Sequence, residues 1–373
     1  MIRTNRTLLM LLAIAALPAL SYAQSARSGA VFAMTNGVDR NQIIAYQRSS
    51  DGSLSEGHTF FTGGRGSGGT TDPLGSQGSL TLTQDHSFLL AVNAGSGDIS
   101  VFRVFGSTLW LVDRTPCGGS EPVAVAQHGN LVYVLNAGAA SNVTGFRLEW
   151  DGRLRKIAGS TTFLSTGNSG AASLAFSLDG KFLLATEKLT GNIDAFHVQD
   201  NGTLAPIVET PSAGPGLFAV TFAPNGTAIA VETGPAGGTN ASAISSYAVQ
   251  PNGKLTTISA SVPALAAATC WSVVTPNGKY VYTSNAGSGT ISGFAIGSDG
   301  TLTPIAGTVV ATLPSGSTNL DIAVSANGKF LYTLDSGTGT VGEFSINSDG
   351  TLNSLGEVGG ISVAAGFNGI AAN

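Results

Sequence analysis

The chain has 373 residues, 51 of them glycine, with only 10% charged and a formal net charge of −5. Few charges and many glycines suit short strands joined by tight turns and argue against helical bundles, which need Glu, Lys, Leu and Ala. The acidic balance and the absence of any Lys/Arg run leave nothing to hold a phosphate backbone, so nucleic acid is excluded as a partner.

At the N-terminus, Arg3 and Arg6 form a positive region, Leu8 to Leu20 an apolar run broken by Pro18, and Ser21-Tyr22-Ala23 a small-residue cleavage site. Residues 1–23 therefore read as a signal peptide cut after Ala23. An uncleaved anchor is the alternative, but the run is short for a bilayer and polar Gln24-Ser25 follows at once. No later segment approaches the length of a transmembrane helix. Loss of Arg3 and Arg6 takes the charge from −5 to −7. The expected product, residues 24–373, is one domain, secreted or periplasmic, with no membrane span.

From Ala30 onward one pattern returns with a period of about 45 to 50 residues, the spacing of propeller blades. An Asx-Gly turn before the second strand recurs as Asp179-Gly180, Asn225-Gly226, Asn277-Gly278 and Asn327-Gly328, with Asp85-His86 and His128-Gly129 in the same place. A turn between strands three and four recurs as Asp51-Gly52, Asp151-Gly152, Asn201-Gly202, Asn252-Gly253, Asp299-Gly300 and Asp349-Gly350. Asx-Gly in a two-residue hairpin turn has positive φ at both central residues, so each copy is predicted to be a four-stranded antiparallel meander. Second strands number seven, from FAMTN to FLYTLDSG. The first copy lacks an innermost strand, and the tail Gly366 to Asn373 (GFNGIAAN) is an innermost strand without a partner. The predicted fold is all-β, a seven-bladed β-propeller closed by that tail; an open solenoid would leave both half-blades unpaired.

Strand direction puts both Asx-Gly turns on one face, the bottom, and the remaining connections on the top, where the channel mouth is the expected ligand site. The ends of the second strands supply Asn36, Asn93, Asn136, Glu187-Lys188, Glu232, Asn285 and Asp335. The approaches to the first strands supply Gln77, Glu121, Cys270-Trp271, Asp321 and Asn368. The asparagines suit a turn-forming role. Glu187, Lys188 and Glu232 stand where a turn needs no charge and are candidates to face a ligand. Trp271 offers either a stacking surface at the channel mouth or inter-blade packing. The Gly-rich insertion Gly63 to Gly75 lies on the top face, where Arg65 is expected to clamp a carboxylate.

Other chemistry is missing. His58, His86, His128 and His197 all fall in bottom turns or outer strands, so neither a histidine base nor a His-rich metal site is expected on the top face. No P-loop, G-x-S-x-G or H-E-x-x-H occurs, and no cofactor or metal is expected. Glu121, Glu187, Glu232, Asp321 and Asp335 are suited to a hard ion such as Ca²⁺, yet are spread over five blades. Cys117 and Cys270 lie in blades on nearly opposite sides of the ring and are read as separate thiols.

The segments VYVLNAG, GKFLLATEKLTGNIDAF, CWSVVTPNGKYVYTSNAGSGTISGF and GKFLYTLDSGTGTV resemble the seven-bladed lactonase family, which includes phosphogluconolactonase-like and carboxymuconate cyclase-like propellers. The resemblance covers nearly all of the mature chain and implies an activity that opens or closes a lactone. Members with known chemistry carry Pro-Arg-His or Pro-His leading into a first strand and Asn-Glu ending the next second strand. The corresponding positions here are Ala171-Ala172-Ser173, Leu217-Phe218-Ala219 and Glu187-Lys188. In an enzyme of this kind Glu187 or Glu232 would be general acid or base, Lys188 and Arg65 would bind an anion, and Trp271 would stack on the ring. Glu121, Asp321 and Asp335 would complete the substrate site. The alternative is a non-catalytic exported propeller that binds a small molecule, peptide or envelope protein. Either is expected to be a monomer with a small-molecule ligand.

Overall fold

The computed structural model describes residues 29–373 except Gly237. The signal-peptide reading therefore lies outside the described residues. Seven antiparallel sheets follow one another around a ring, numbered here as blades in chain order. Blade 1 takes its innermost strand, Phe367–Ala372, from the C-terminal tail, followed outward by Gly29–Thr35, Gln42–Arg48 and His58–Phe61. The tail pairs Val31 with Ala372 and Thr35 with Phe367, and the Ala30 N–H donates to Asn373 Oδ1 at 2.6 Å. Blades 2 and 4 to 7 are four-stranded, whereas blade 3 carries a fifth short segment, Thr162–Phe163, on its third strand. Among the described residues no helix is long and apolar enough to cross a membrane.

The second strand of each blade is buried on both faces, because a sheet packs on each side of every blade. Second strands such as Phe88–Asn93 and Phe330–Asp335 are buried along their whole length. Tyrosines in these strands stitch neighbouring blades. The hydroxyls of Tyr133, Tyr282 and Tyr332 donate to the carbonyls of Gly202, Gly350 and Gly52, each at 2.8 Å and each in the bottom turn of the next blade. The third of these links blade 7 to blade 1.

The hairpin turns differ from the two-residue, doubly left-handed form expected. Only the glycine has positive φ, as in Gly52 (φ 98°) and Gly350 (φ 86°), while the preceding Asp or Asn does not. The Gly52 N–H donates to the Ser49 carbonyl and the Ser49 N–H to the Ser53 carbonyl, a type I turn followed by a glycine bulge. The Asx side chain accepts the N–H two residues on instead, as Asp51 does from Ser53 at 3.1 Å and Asn277 from Lys279 at 3.0 Å. Glycine is required at Gly52 for a second reason: a Cβ there would lie 2.2 Å from the Phe330 ring of blade 7.

Candidate functional site

The second strand of every blade ends on a polar residue, and the structure gives these seven residues one shared task. Asn36, Asn93, Asn136, Glu187, Glu232, Asn285 and Asp335 are all essentially inaccessible to solvent. Glu187 Oε1 accepts the Ser165 N–H at 2.8 Å, and Oε2 accepts the hydroxyls of Ser165 and Thr190. Glu232 Oε1 accepts from Ser212 Oγ (3.0 Å), the Gly214 N–H (2.8 Å) and Ser245 Oγ (2.7 Å), and Oε2 from Ser261 Oγ (2.8 Å). Asp335 Oδ1 accepts the N–H groups of Thr318 and Gly337. Asn93 and Asn285 make the equivalent ties to Thr62 and Ser292. These side chains fasten loops: Glu187 and Glu232 the loop arriving from the previous blade, Asp335 that loop and the turn of its own blade, and Asn36 the loop leaving its blade at Ser67 and Gly68. The two candidate acids, Glu187 and Glu232, each sit within a separate set of donors.

Behind Glu187 lies Asp194, also fully buried, neither of whose oxygens receives a donor. Burial pushes its carboxyl up to about 8, reinforced by the Glu187 charge and by a hydrogen bond to Glu187 that only a protonated Asp194 can donate.

The remaining candidates divide. Lys188 turns into the top of the channel, where its Nζ donates to the Gly75 carbonyl and lies 5.2 Å from the Phe218 ring centre. Trp271 takes the packing role: it is 1% exposed, meets Phe218 edge-on at 5.2 Å, and donates its indole N–H to the Ser76 carbonyl at 2.8 Å. It presents no free surface for stacking. Asp321 is buried in blade 7, accepting the Ile322 N–H (2.9 Å) and the Ile370 N–H (3.2 Å). Glu121 is exposed with φ 55°, near enough to Lys188 to favour its charge. Arg65 lies away from this group, at the outer seam of blades 1 and 2. Cys117 and Cys270 are both buried free thiols, as expected. Among the described residues no group of three or more His, Cys, Asp or Glu side chains is placed to hold a metal ion.

What reaches over the channel is the far end of the Gly-rich insertion, residues 72–77. The Ser76 hydroxyl donates to the Val123 carbonyl of blade 3, the Gln77 N–H to the Ala172 carbonyl of blade 4, and the Gln77 amide to the Ser272 carbonyl of blade 6. Gln77 thereby forms an isolated parallel bridge with Ser173. Below it a cavity of about 360 Å³ opens toward the bottom face, lined in part by Thr81, Gln127, His128, Ser173 and Phe176.

This crossing segment brings in Asp72, a residue the sequence reading passed over. Asp72 Oδ1 accepts the Gly75 N–H (3.0 Å) and the Asn368 amide (3.4 Å). Burial raises its carboxyl to about 6, a rise opposed by the nearby Lys188 ammonium and by these hydrogen bonds. Burial in turn lowers the Lys188 ammonium, with Asp72, Cys270 and Glu121 acting the other way. Asp321 is raised to about 7 by burial, the two backbone donors resisting and the Asp72 charge adding to it. Asp72 thus favours the Lys188 charge and opposes the Asp321 one.

Comparison with known proteins agrees with this architecture. No curated protein matches the sequence. Among solved structures, the periplasmic gluconolactonase of Pseudomonas aeruginosa superposes with a TM-score of 0.69 at 17% identity, covering 92% of this chain and 99% of that one. A Bacteroides uniformis protein assigned provisionally as a 6-phosphogluconolactonase gives 0.66 at 21% identity, covering 91% and 99%. A hypothetical selenium-binding protein of Sulfolobus tokodaii also gives 0.66, at 11% identity, covering 92% and 94%. At these identities the likeness is one of fold, shared by proteins of different description. The profile of the seven-bladed β-propeller lactonases matches residues 39–162, 123–264 and 221–319, well over half of the sequence. Fold, ring closure and sequence match agree, and the chain belongs to the seven-bladed β-propeller lactonase family.

Proposed function

We propose that the protein is an exported, lactonase-like hydrolase that opens a small lactone at the top of its central channel. The observation that carries this reading is the half-buried Asp72 carboxyl, raised to about 6, beside the Lys188 ammonium. In this reading Asp72, ionised at neutral pH, takes a proton from water as the water oxygen bonds to the lactone carbonyl carbon. The Lys188 ammonium stabilises the oxyanion that forms. The ring C–O bond then breaks and its oxygen takes the proton held by Asp72, leaving a hydroxy acid. Lys188 donates to the Gly75 carbonyl in the described state, so the substrate carbonyl displaces Gly75 and the 72–77 segment shifts on binding.

This reading moves the acid–base role from Glu187 and Glu232 to Asp72, because the two glutamates are saturated by internal donors. Lys188 takes the anion-binding role in this reading. A neutral or singly charged lactone suits the channel better than a sugar phosphate, since Lys188 already faces Asp72. An exported protein also meets few cytoplasmic sugar phosphates. The match to the family supports the reaction class, and the periplasmic relative is consistent with export.

A second reading, a non-catalytic binding propeller, draws on the same crossing segment, whose bonds to blades 3, 4 and 6 fill the top of the channel. A panel of γ- and δ-lactones, followed by acid release, separates the two. Turnover that falls by about 100-fold or more in Asp72→Asn supports the hydrolase. Absence of turnover across the panel by folded wild-type protein supports the binding module.

A further inference from the structure

Arg65 leaves the channel but does not stand alone. Together with Arg40 and Arg114 it lines a cavity of about 500 Å³ at the seam between blades 1 and 2, with Asp39 as the one carboxylate in the wall. Three guanidiniums face Asp39 in the wall and Asp98 behind Arg114, which leaves an excess of one positive charge, in a chain whose net charge is −5.

The scaffold around them is tied from several directions. The Asn41 N–H donates to the Gly64 carbonyl (3.0 Å), the Arg65 N–H to Ser96 Oγ (2.9 Å), and the Gly95 N–H to the Arg65 carbonyl (3.0 Å). Arg114 is held by Asp98 (3.6 Å) and by the Gly63 carbonyl, and the Arg40 guanidinium sits 5.2 Å from the Phe61 ring centre. Among the described residues neither Arg40 nor Arg65 has a salt-bridge partner. Phe61 and Leu111 flank the cluster with 51% and 45% of their surface exposed. Three weakly hydrated, planar donors around one space, with an apolar shoulder beside them, match an oxyanion carried on a carbon body.

We propose that this seam is a second ligand site, separate from the channel and independent of the lactonase reading, which takes an oxyanion such as a phosphate monoester or a carboxylate. Arg40 and Arg65, which have no salt bridge among the described residues, are the donors available to the ligand, and Arg114, already placed by Asp98, supplies a fixed third donor.

Calorimetric titration of the full chain with inorganic phosphate and, separately, with malonate tests this. Saturable binding of either probe, weakened by about tenfold or more in Arg65→Ala and in Arg40→Ala, is expected. Rising salt should weaken it further, while Lys279→Ala on the opposite face should leave it unchanged. Preference for phosphate identifies a phosphoryl ligand, preference for malonate a carboxylate one, and equal binding a general oxyanion site. Arg65→Lys, which keeps the charge but loses the fork of donors, should bind less tightly than wild type. Absence of saturation with both probes up to about 20 mM, or unchanged affinity in both alanine variants, overturns the proposal.

Discussion

Asp194 and Glu187 form a buried carboxyl pair whose protonation is set by folding. The folded protein holds the Asp194 proton up to about pH 8, whereas the unfolded chain releases it near 3.8. Folding therefore takes up a proton between those values, and stability falls as pH rises through that window. Asp72 and Asp321, raised to about 6 and about 7, act in the same direction over its lower part. The melting temperature is expected to be higher at pH 5 than at pH 8, and Asp194→Asn, which donates to Glu187 at any pH, should remove much of that difference. A melting curve independent of pH in the wild type would contradict this account. Glu232→Ala, by contrast, strands the Gly214 N–H and three hydroxyls in the interior and should cost about 3 kcal/mol in denaturant titration. These roles were hard to read from sequence because a carboxylate and an asparagine at a strand end look alike until their donors are known. A signal did exist: Ser165 and Ser212, 22 and 20 residues upstream, supply the hydroxyls that Glu187 and Glu232 need.

At the scale of strands and turns, the repeat was legible because Asx-Gly hairpins recur at a fixed place. The type I geometry with a glycine bulge changes the chemistry of the turn without changing where it falls. Less legible was that the turn glycines are also inter-blade contacts, since that depends on a tyrosine one blade away. Tyr332→Phe removes the donor to the buried Gly52 carbonyl at the join of blades 7 and 1. It is expected to destabilise the protein by about 1–2 kcal/mol by chemical denaturation, with no change in lactone turnover per folded molecule. The Gly63 to Gly75 insertion and the two residues after it gave the weakest signal of all. They have no strand or helix periodicity, so nothing local showed that Ser76 and Gln77 would cross the channel or that Asp72 would meet Lys188, 116 positions further along the chain. That environment is built by blades 1, 4 and 7 together.

For the whole molecule, closure by the tail is what turns seven sheets into a ring. Truncation before Phe367 would expose the Gly29–Thr35 edge, whose residues are all buried, and should yield aggregating protein without a cooperative melt. A soluble, cooperatively folding truncation would show that the first blade stands without it. The ring also explains why the face, but not the residues, of the site could be inferred: topology decides which loops gather at the channel, while packing decides which of their side chains remain free. The central functional claim rests on Asp72, and its most direct test is the pH dependence of kcat/KM for lactone opening. The rate is expected to rise with pH through an apparent pKa near 6, and Asp72→Asn to lose both the rate and that titration, with Glu187→Gln retaining the wild-type profile. An unchanged profile in Asp72→Asn, or one abolished only by Glu187→Gln, would contradict the claim.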